Sequence, residues 1–122
     1  MTLQETYEQF GGDFEGVMSR LPKEELVERF VRKFLTEPSY GNLVEGIREK
    51  DCEKSFRGAH SLKGVCANLG FSRLENSSKE LTEFLREKQV DEVDWTEVAK
   101  LQEQIDVDYK EVIRSIQAYV EA

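Results

Sequence analysis

Apolar residues recur at helical spacing along almost the whole chain, and this pattern restricts the possible folds more than any other feature of the sequence. Residues 24–36 show it most clearly, because their apolar side chains fall at i, i+1, i+4, i+5, i+8 and i+9 and form one broad stripe. Pro22 and Pro38 bracket this segment, as expected for a residue that fixes φ and lacks a backbone donor. No segment alternates polar and apolar residues as a half-buried strand does. The chain is therefore predicted to be all-α.

Four further segments have helical periodicity and recognisable ends. They cover residues 40–49, 52–69, 71–88 and 94–120. Asp51 and Asp94 are predicted N-caps, because a short acidic side chain accepts hydrogen bonds from the free N–H groups of a first turn. Gly70 is predicted to end the helix that precedes it. The first residues of the chain are predicted to form one or two short helices, broken at Gly11 and Gly12.

Amphipathic helices joined by short connections favour an antiparallel four-helix bundle with short additional N-terminal helices. A length of 122 residues suits one domain and leaves little room for a second. We therefore predict a single domain over residues 1–122. In it, short N-terminal helices within residues 1–21 pack against a helical bundle formed by residues 24–120.

Charge and composition exclude several classes of function. The net charge of −8 makes nucleic acid and anionic membrane surfaces unfavourable partners. No apolar stretch is long enough to span a membrane, and the N-terminus does not resemble a signal peptide.

Cys52 and Cys66 are too far apart to form a disulfide if they share one helix, and free thiols fit a reducing compartment. We expect a cytoplasmic monomer.

The only histidine, His60, lies in the segment that carries chemical information. In a helix it falls about 120° from the centre of the apolar stripe, so it is expected at the edge of the core or on the surface. Gly64, one turn later, is unfavourable in a helix by about 1 kcal/mol relative to alanine. The missing side chain would leave room for a group to approach the imidazole. Lys63 could place a positive charge beside an anion held there.

Blander interpretations of these residues stay open. Gly64 could mark a close helix contact, and His60 could be an incidental surface residue of a helical adaptor. A hydrolase is disfavoured, because the sequence indicates no second catalytic group close to the histidine. One histidine and two distant cysteines cannot build a zinc site, so no bound metal is expected. Neither a P-loop nor a protein-kinase motif set is present, so we expect no nucleotide site and no enzymatic activity of the chain's own.

The segment Ala59-His60-Ser61-Leu62-Lys63-Gly64, with Leu69-Gly70 and Leu74, resembles the histidine-containing phosphotransfer (HPt) family of two-component phosphorelays. The resemblance implies that His60 is the phosphoacceptor, that Lys63 stabilises the phosphoryl group and that Gly64 gives access. Family members often carry Glu or Gln on the facing helix, where it can hydrogen-bond the imidazole. The corresponding residue here is Thr82, whose short hydroxyl leaves open what orients the ring.

The resemblance also implies the partners. We expect a response-regulator receiver domain, whose aspartate and Mg²⁺ complete the transfer, and a sensor histidine kinase of the hybrid type. This chain itself would bind no cofactor. Exposed residues around His60 are expected to form the partner surface; they are Arg57, Ser61, Ala67 and Asn68.

Overall fold

The computed structural model describes all residues from Met1 to Ala122 and contains α-helices, one short 3₁₀ turn and no β-strand. The seven α-helices are α1 (Leu3–Gln9), α2 (Phe14–Arg20), α3 (Glu24–Phe34), α4 (Ser39–Arg48), α5 (Cys52–Leu69), α6 (Ser72–Leu85) and α7 (Trp95–Glu121). The 3₁₀ turn, Val90–Glu92, lies between the last two helices. The all-α prediction is thus confirmed, and α1 and α2 are separated at the Gly11–Gly12 break.

The predicted caps determine where the longer helices begin and end. The Asp51 carboxylate accepts from the Lys54 N–H at 3.0 Å at the start of α5. Asp94 accepts from the first N–H groups of α7. Gly70 ends α5 in the left-handed region, at φ +74°.

Two predicted helices are shorter in the structure. The helix predicted over 24–36 ends at Phe34, because the following N–H groups bond three residues back in a tightened turn. The helix predicted over 71–88 covers Ser72–Leu85. Glu87 follows it with a positive φ of 59°, which an α-helix does not allow.

Helices α4 to α7 form the four-helix bundle. Short connections place α4 beside α5, α5 beside α6, and α6 beside α7. Tyr40 at the start of α4 closes the ring against α7, since it stacks on Tyr109 at a centroid distance of 3.7 Å. Its hydroxyl also donates to the Asp106 carboxylate at 2.6 Å.

The N-terminal helices pack onto this bundle through aromatic side chains. Phe71, at the α5–α6 turn, contacts Tyr7, Phe10 and Phe34 in edge-to-face geometry. The Tyr7 hydroxyl donates to the Leu69 carbonyl at 2.7 Å. These contacts fix α1 and α3 against the C-terminal end of α5. None of the helices is both long enough and apolar enough to cross a lipid bilayer.

Candidate functional site

Helix α5 buries one side and exposes the other. Ala59 and Leu62 are fully buried, whereas His60 between them is exposed. This difference follows from the helical period, because neighbouring residues point in directions about 100° apart. The imidazole therefore lies at the surface, as its position in the helix predicts.

The surface beside His60 is open at Gly64. A Cβ atom built on Gly64 would meet no atom within 4 Å, so no neighbouring helix requires a glycine there. The interpretation of Gly64 as a helix contact is therefore wrong. Lys63 lies next to it, half-buried towards α6, where its charge helps to lower the pKa of the Glu83 carboxyl.

Thr82 does not contribute to this surface. Its side chain is fully buried, and its hydroxyl donates to the Ser78 carbonyl within α6 at 2.8 Å. A threonine hydroxyl has a single proton to donate, and here that proton is used within the helix. Thr82 thus leaves the exposed imidazole without a direct hydrogen bond from the facing helix.

Phe56, one turn before His60, lies against the imidazole. The two ring planes are 7° from parallel and the centroids are 5.8 Å apart, which is an offset stack. Arg86 is the C-cap residue of α6, and its guanidinium lies over the same phenyl ring, with Cζ 5.4 Å from the ring centroid. The phenyl ring thus has contacts with both helices.

Glu83 holds Arg86 in this position. Arg86 donates to the two Glu83 carboxylate oxygens from Nε and Nη2, each at 3.1 Å. These hydrogen bonds lower the pKa of the Glu83 carboxyl, and the nearby Lys63 and Lys79 charges add to the effect. The pair is therefore ionised throughout the neutral range, with Glu83 in the last turn of α6 and Arg86 at its C-cap.

The four residues expected to form a partner surface are spread around His60. Arg57 and Ser61 are exposed on one flank, and Arg57 pairs with Glu53 at 3.4 Å. Ala67 is half-buried and Asn68 exposed at the other end of the site. The side chains of Arg57 and Ser61 line a polar depression towards α4, whereas Asn68 faces a different hollow.

That second hollow is an apolar groove of about 410 Å³ between α3 and the end of α5. Its apolar lining consists of Leu21, Phe30, Phe34, Val65 and Leu69, and its polar edge consists of Arg20, Lys33, Glu37 and Asn68. Arg20 of α2 shapes the edge, because its guanidinium donates to the Ala67 and Asn68 carbonyls at 3.0 and 3.1 Å. Phe30 belongs to the apolar wall of the groove and is 37% exposed to solvent.

The remaining candidate chemistry is not assembled at this surface. No three His, Cys, Asp or Glu side chains converge as metal ligands would. Cys52 and Cys66 both lie on α5 as free thiols, so the prediction that they form no disulfide is confirmed. Burial raises the pKa of both thiols, most strongly that of Cys66, whose side chain is fully enclosed.

Glu83 and Arg86 were not predicted as components of the site, and Phe56 was predicted only as a helical neighbour of His60 without a role. The neighbour relation of Phe56 follows from spacing, since a residue four positions before a helical histidine lies on the same face. The other two depend on how α6 is rotated against α5, which periodicity does not determine. Arg20 was missed for the same reason, because its partners lie on another helix.

Comparison with known protein families supports the assignment that the motif suggested. The Hpt domain family matches residues 24–110, which includes α3 to α6 and more than half of α7. Comparisons with curated proteins and with solved structures give no significant match. The exposed histidine lies within the matched region, on a helix of the bundle typical of the family. The chain therefore belongs to the Hpt domain family, whose members carry phosphoryl groups on histidine in two-component phosphorelays.

Proposed function

We propose that His60 accepts a phosphoryl group and exchanges it with the aspartate of response-regulator receiver domains. The observation that carries this proposal is the open surface at Gly64, one helical turn from an exposed imidazole. A mid-helix glycine without a packing role is unfavourable for folding. Access of a second protein to His60 would explain why a glycine occupies position 64.

The transfer itself needs little from this chain beyond a nucleophile. An unprotonated ring nitrogen attacks phosphorus in line with the aspartyl oxygen. The N–P bond forms as the P–O bond breaks, and the aspartate leaves as a carboxylate. The other ring nitrogen keeps its proton, so no general base is required. The reverse reaction returns the phosphoryl group to an aspartate.

Lys63 supplies a counter-charge in this proposal. A phosphoryl group on His60 adds negative charge to the exposed face of α5, one turn before the Lys63 ammonium. In this proposal the receiver domain supplies the reacting aspartate and Mg²⁺. A sensor histidine kinase of the hybrid type is the proposed source of the phosphoryl group, and this chain acts without a nucleotide site.

The receiver would dock over Gly64 and the apolar groove beside it. Val65 of the groove directly follows Gly64 on α5, and Asn68 lies one helical turn after Gly64. An apolar hollow with a polar edge suits a transient partner, which must bind and leave in each cycle. Arg57 and Ser61 would contact the receiver on the opposite flank.

Phosphotransfer from a labelled receiver tests the proposal. Receiver domains phosphorylated on aspartate with labelled acetyl phosphate are mixed with the wild-type chain, His60→Gln and Lys63→Gln. We expect label on the wild type and none on His60→Gln. Lys63→Gln should transfer about two- to tenfold more slowly, as expected for loss of one charge contact. Lys100→Gln, an exposed lysine of α7, is the matched control and should transfer at the wild-type rate.

Two outcomes contradict the proposal. Equal labelling of the wild type and His60→Gln would show that another residue accepts the group. If no receiver in a panel transfers label to the wild type, the result would favour a helical adaptor with an incidental histidine.

A further inference from the structure

We propose that Phe56 positions the His60 imidazole for transfer and that α6 acts on the ring through Arg86 rather than by a direct hydrogen bond. This inference rests on the proposed function of His60. It assigns to an aromatic stack the orienting role that Thr82, with its buried hydroxyl, does not perform. Phe56 is a positioning residue here, because it contacts the imidazole and not the phosphoryl group.

The stack limits the orientations that the imidazole can adopt. An exposed histidine on a helix otherwise samples several staggered rotamers, and its terminal torsion is broad. With planes 7° from parallel and centroids 5.8 Å apart, the two rings lie within the range of favourable aromatic pairs. The pair holds the imidazole plane nearly parallel to the phenyl ring, which reduces the number of directions in which the ring nitrogens can point.

Phe56 can serve as a platform because it is itself held in place. Its side chain is half-buried and packs against the core, unlike the exposed His60. Arg86 covers the phenyl ring at 5.4 Å and is fixed by two hydrogen bonds to Glu83. Arg86, at the end of α6, therefore contacts the phenyl ring, and the phenyl ring in turn contacts the imidazole.

Orientation matters only when the phosphoryl donor is itself oriented. A receiver bound over Gly64 presents its phosphorus from one direction, so an imidazole with the wrong rotamer is unproductive. A small donor such as phosphoramidate approaches the exposed ring from any side. Loss of the stack should therefore slow transfer from a receiver and leave uptake from phosphoramidate unchanged.

Proton NMR provides a test that needs no partner. The chain has one histidine, so the carbon-bound ring protons of His60 give a single set of signals. Phe56→Leu keeps an apolar side chain but removes the ring current, whereas Phe56→Tyr keeps the ring. We expect the His60 signals to move towards free-histidine positions in Phe56→Leu and to stay near wild-type positions in Phe56→Tyr. Unchanged signals in Phe56→Leu would overturn the stack.

Transfer kinetics at increasing receiver concentration test the functional part. In Phe56→Leu we expect the maximal transfer rate to fall about two- to tenfold, in line with the strength of an aromatic pair, with an unchanged half-saturating concentration. Phe56→Tyr should restore the rate. Arg86→Gln should lower it by less than Phe56→Leu, because the phenyl ring remains. Urea unfolding of each variant separates these effects from loss of the fold.

Each alternative has a distinct result. A change confined to the half-saturating concentration would make Phe56 a docking residue and overturn the positioning role. Equal slowing in Phe56→Leu and Phe56→Tyr, or equal slowing with phosphoramidate, would also overturn it. A full wild-type rate in Arg86→Gln would remove Arg86 from the account. Failure of the wild type to accept label from any receiver refutes the proposed function, whereas the His60 signals test the stack alone.

Discussion

Two glycines in the middle of α5 break the same local rule for opposite reasons. Gly58 faces α4, where a Cβ atom would come within 2.7 Å of the Leu43 Cα atom. Gly46 of α4 makes the reciprocal close contact with α5, since a Cβ atom on it would lie 2.8 Å from the Ser55 backbone nitrogen. Gly64 faces open space instead. One side of α5 thus uses glycine to bring two backbones together, and the other uses it to leave a surface free.

The comparison shows that the helix penalty of a glycine does not reveal its purpose. Both positions carry the same intrinsic disadvantage, about 1 kcal/mol relative to alanine. At Gly58 the penalty is offset within the fold by close packing of α4 and α5. At Gly64 no packing contact offsets the penalty, and we propose access for a partner as the reason for the glycine. The same substitution should therefore have opposite effects on stability at the two positions.

The largest expected effect on stability is that of Gly58→Ala. The new methyl group would overlap backbone atoms of Leu43, which cannot move aside as a flexible side chain could. Overpacking of this kind typically destabilises by about 1–3 kcal/mol. We expect a lower free energy of unfolding in urea with an unchanged slope. Wild-type stability would show that α4 shifts freely and that the contact is loose.

Gly64→Ala should show the opposite pattern. The methyl group enters open space and improves helix propensity, so the free energy of unfolding should rise by up to about 1 kcal/mol. Transfer from a phosphorylated receiver should become slower. Gly41→Ala is the matched control, because it also faces open space in a helix but lies on α4. It should not slow transfer; a wild-type transfer rate in Gly64→Ala would contradict the access role.

The smallest expected effect concerns the two cysteines of α5. Burial raises the pKa of the Cys66 thiol, so its contribution to stability is present below about pH 8.5 and is lost as the pH rises further. Unfolding free energies at pH 7 and pH 9.5 should therefore differ more for the wild type than for Cys66→Ala. In the native protein at pH 8, a thiol reagent should modify the half-buried Cys52 before Cys66. Rapid modification of Cys66 would show that the core opens locally.

The fold could be predicted largely from the sequence, because apolar spacing and caps are local signals. The bounds of α5 are correct to the residue, since Asp51 and Gly70 both act through their own backbone geometry. The ends of α3 and α6 were predicted too late in the chain. Leu35 continues the apolar stripe beyond α3, and the charged residues after Leu85 include no helix breaker. The tightened turn after Phe34 and the positive φ of Glu87 leave no signal in the periodicity.

The site could be predicted only in part. His60, Lys63 and Gly64 belong to one helix, so their relative positions follow from spacing alone. The contact between Phe56 and Arg86, the apolar groove and the buried hydroxyl of Thr82 all depend on how helices rotate against each other. Sequence periodicity identifies the buried side of a helix, but it does not determine which residues of two helices meet.

The most direct test of the central claim is to locate the phosphoryl group after reaction with a receiver. The wild-type chain is incubated with an aspartyl-phosphorylated receiver and Mg²⁺, then digested at neutral or mildly basic pH and mapped by mass spectrometry. We predict one acid-labile phosphoryl group, on the peptide that contains His60, and no modification in His60→Gln. A phosphoryl group on any other residue, or an unmodified wild-type chain with every receiver, would contradict the account.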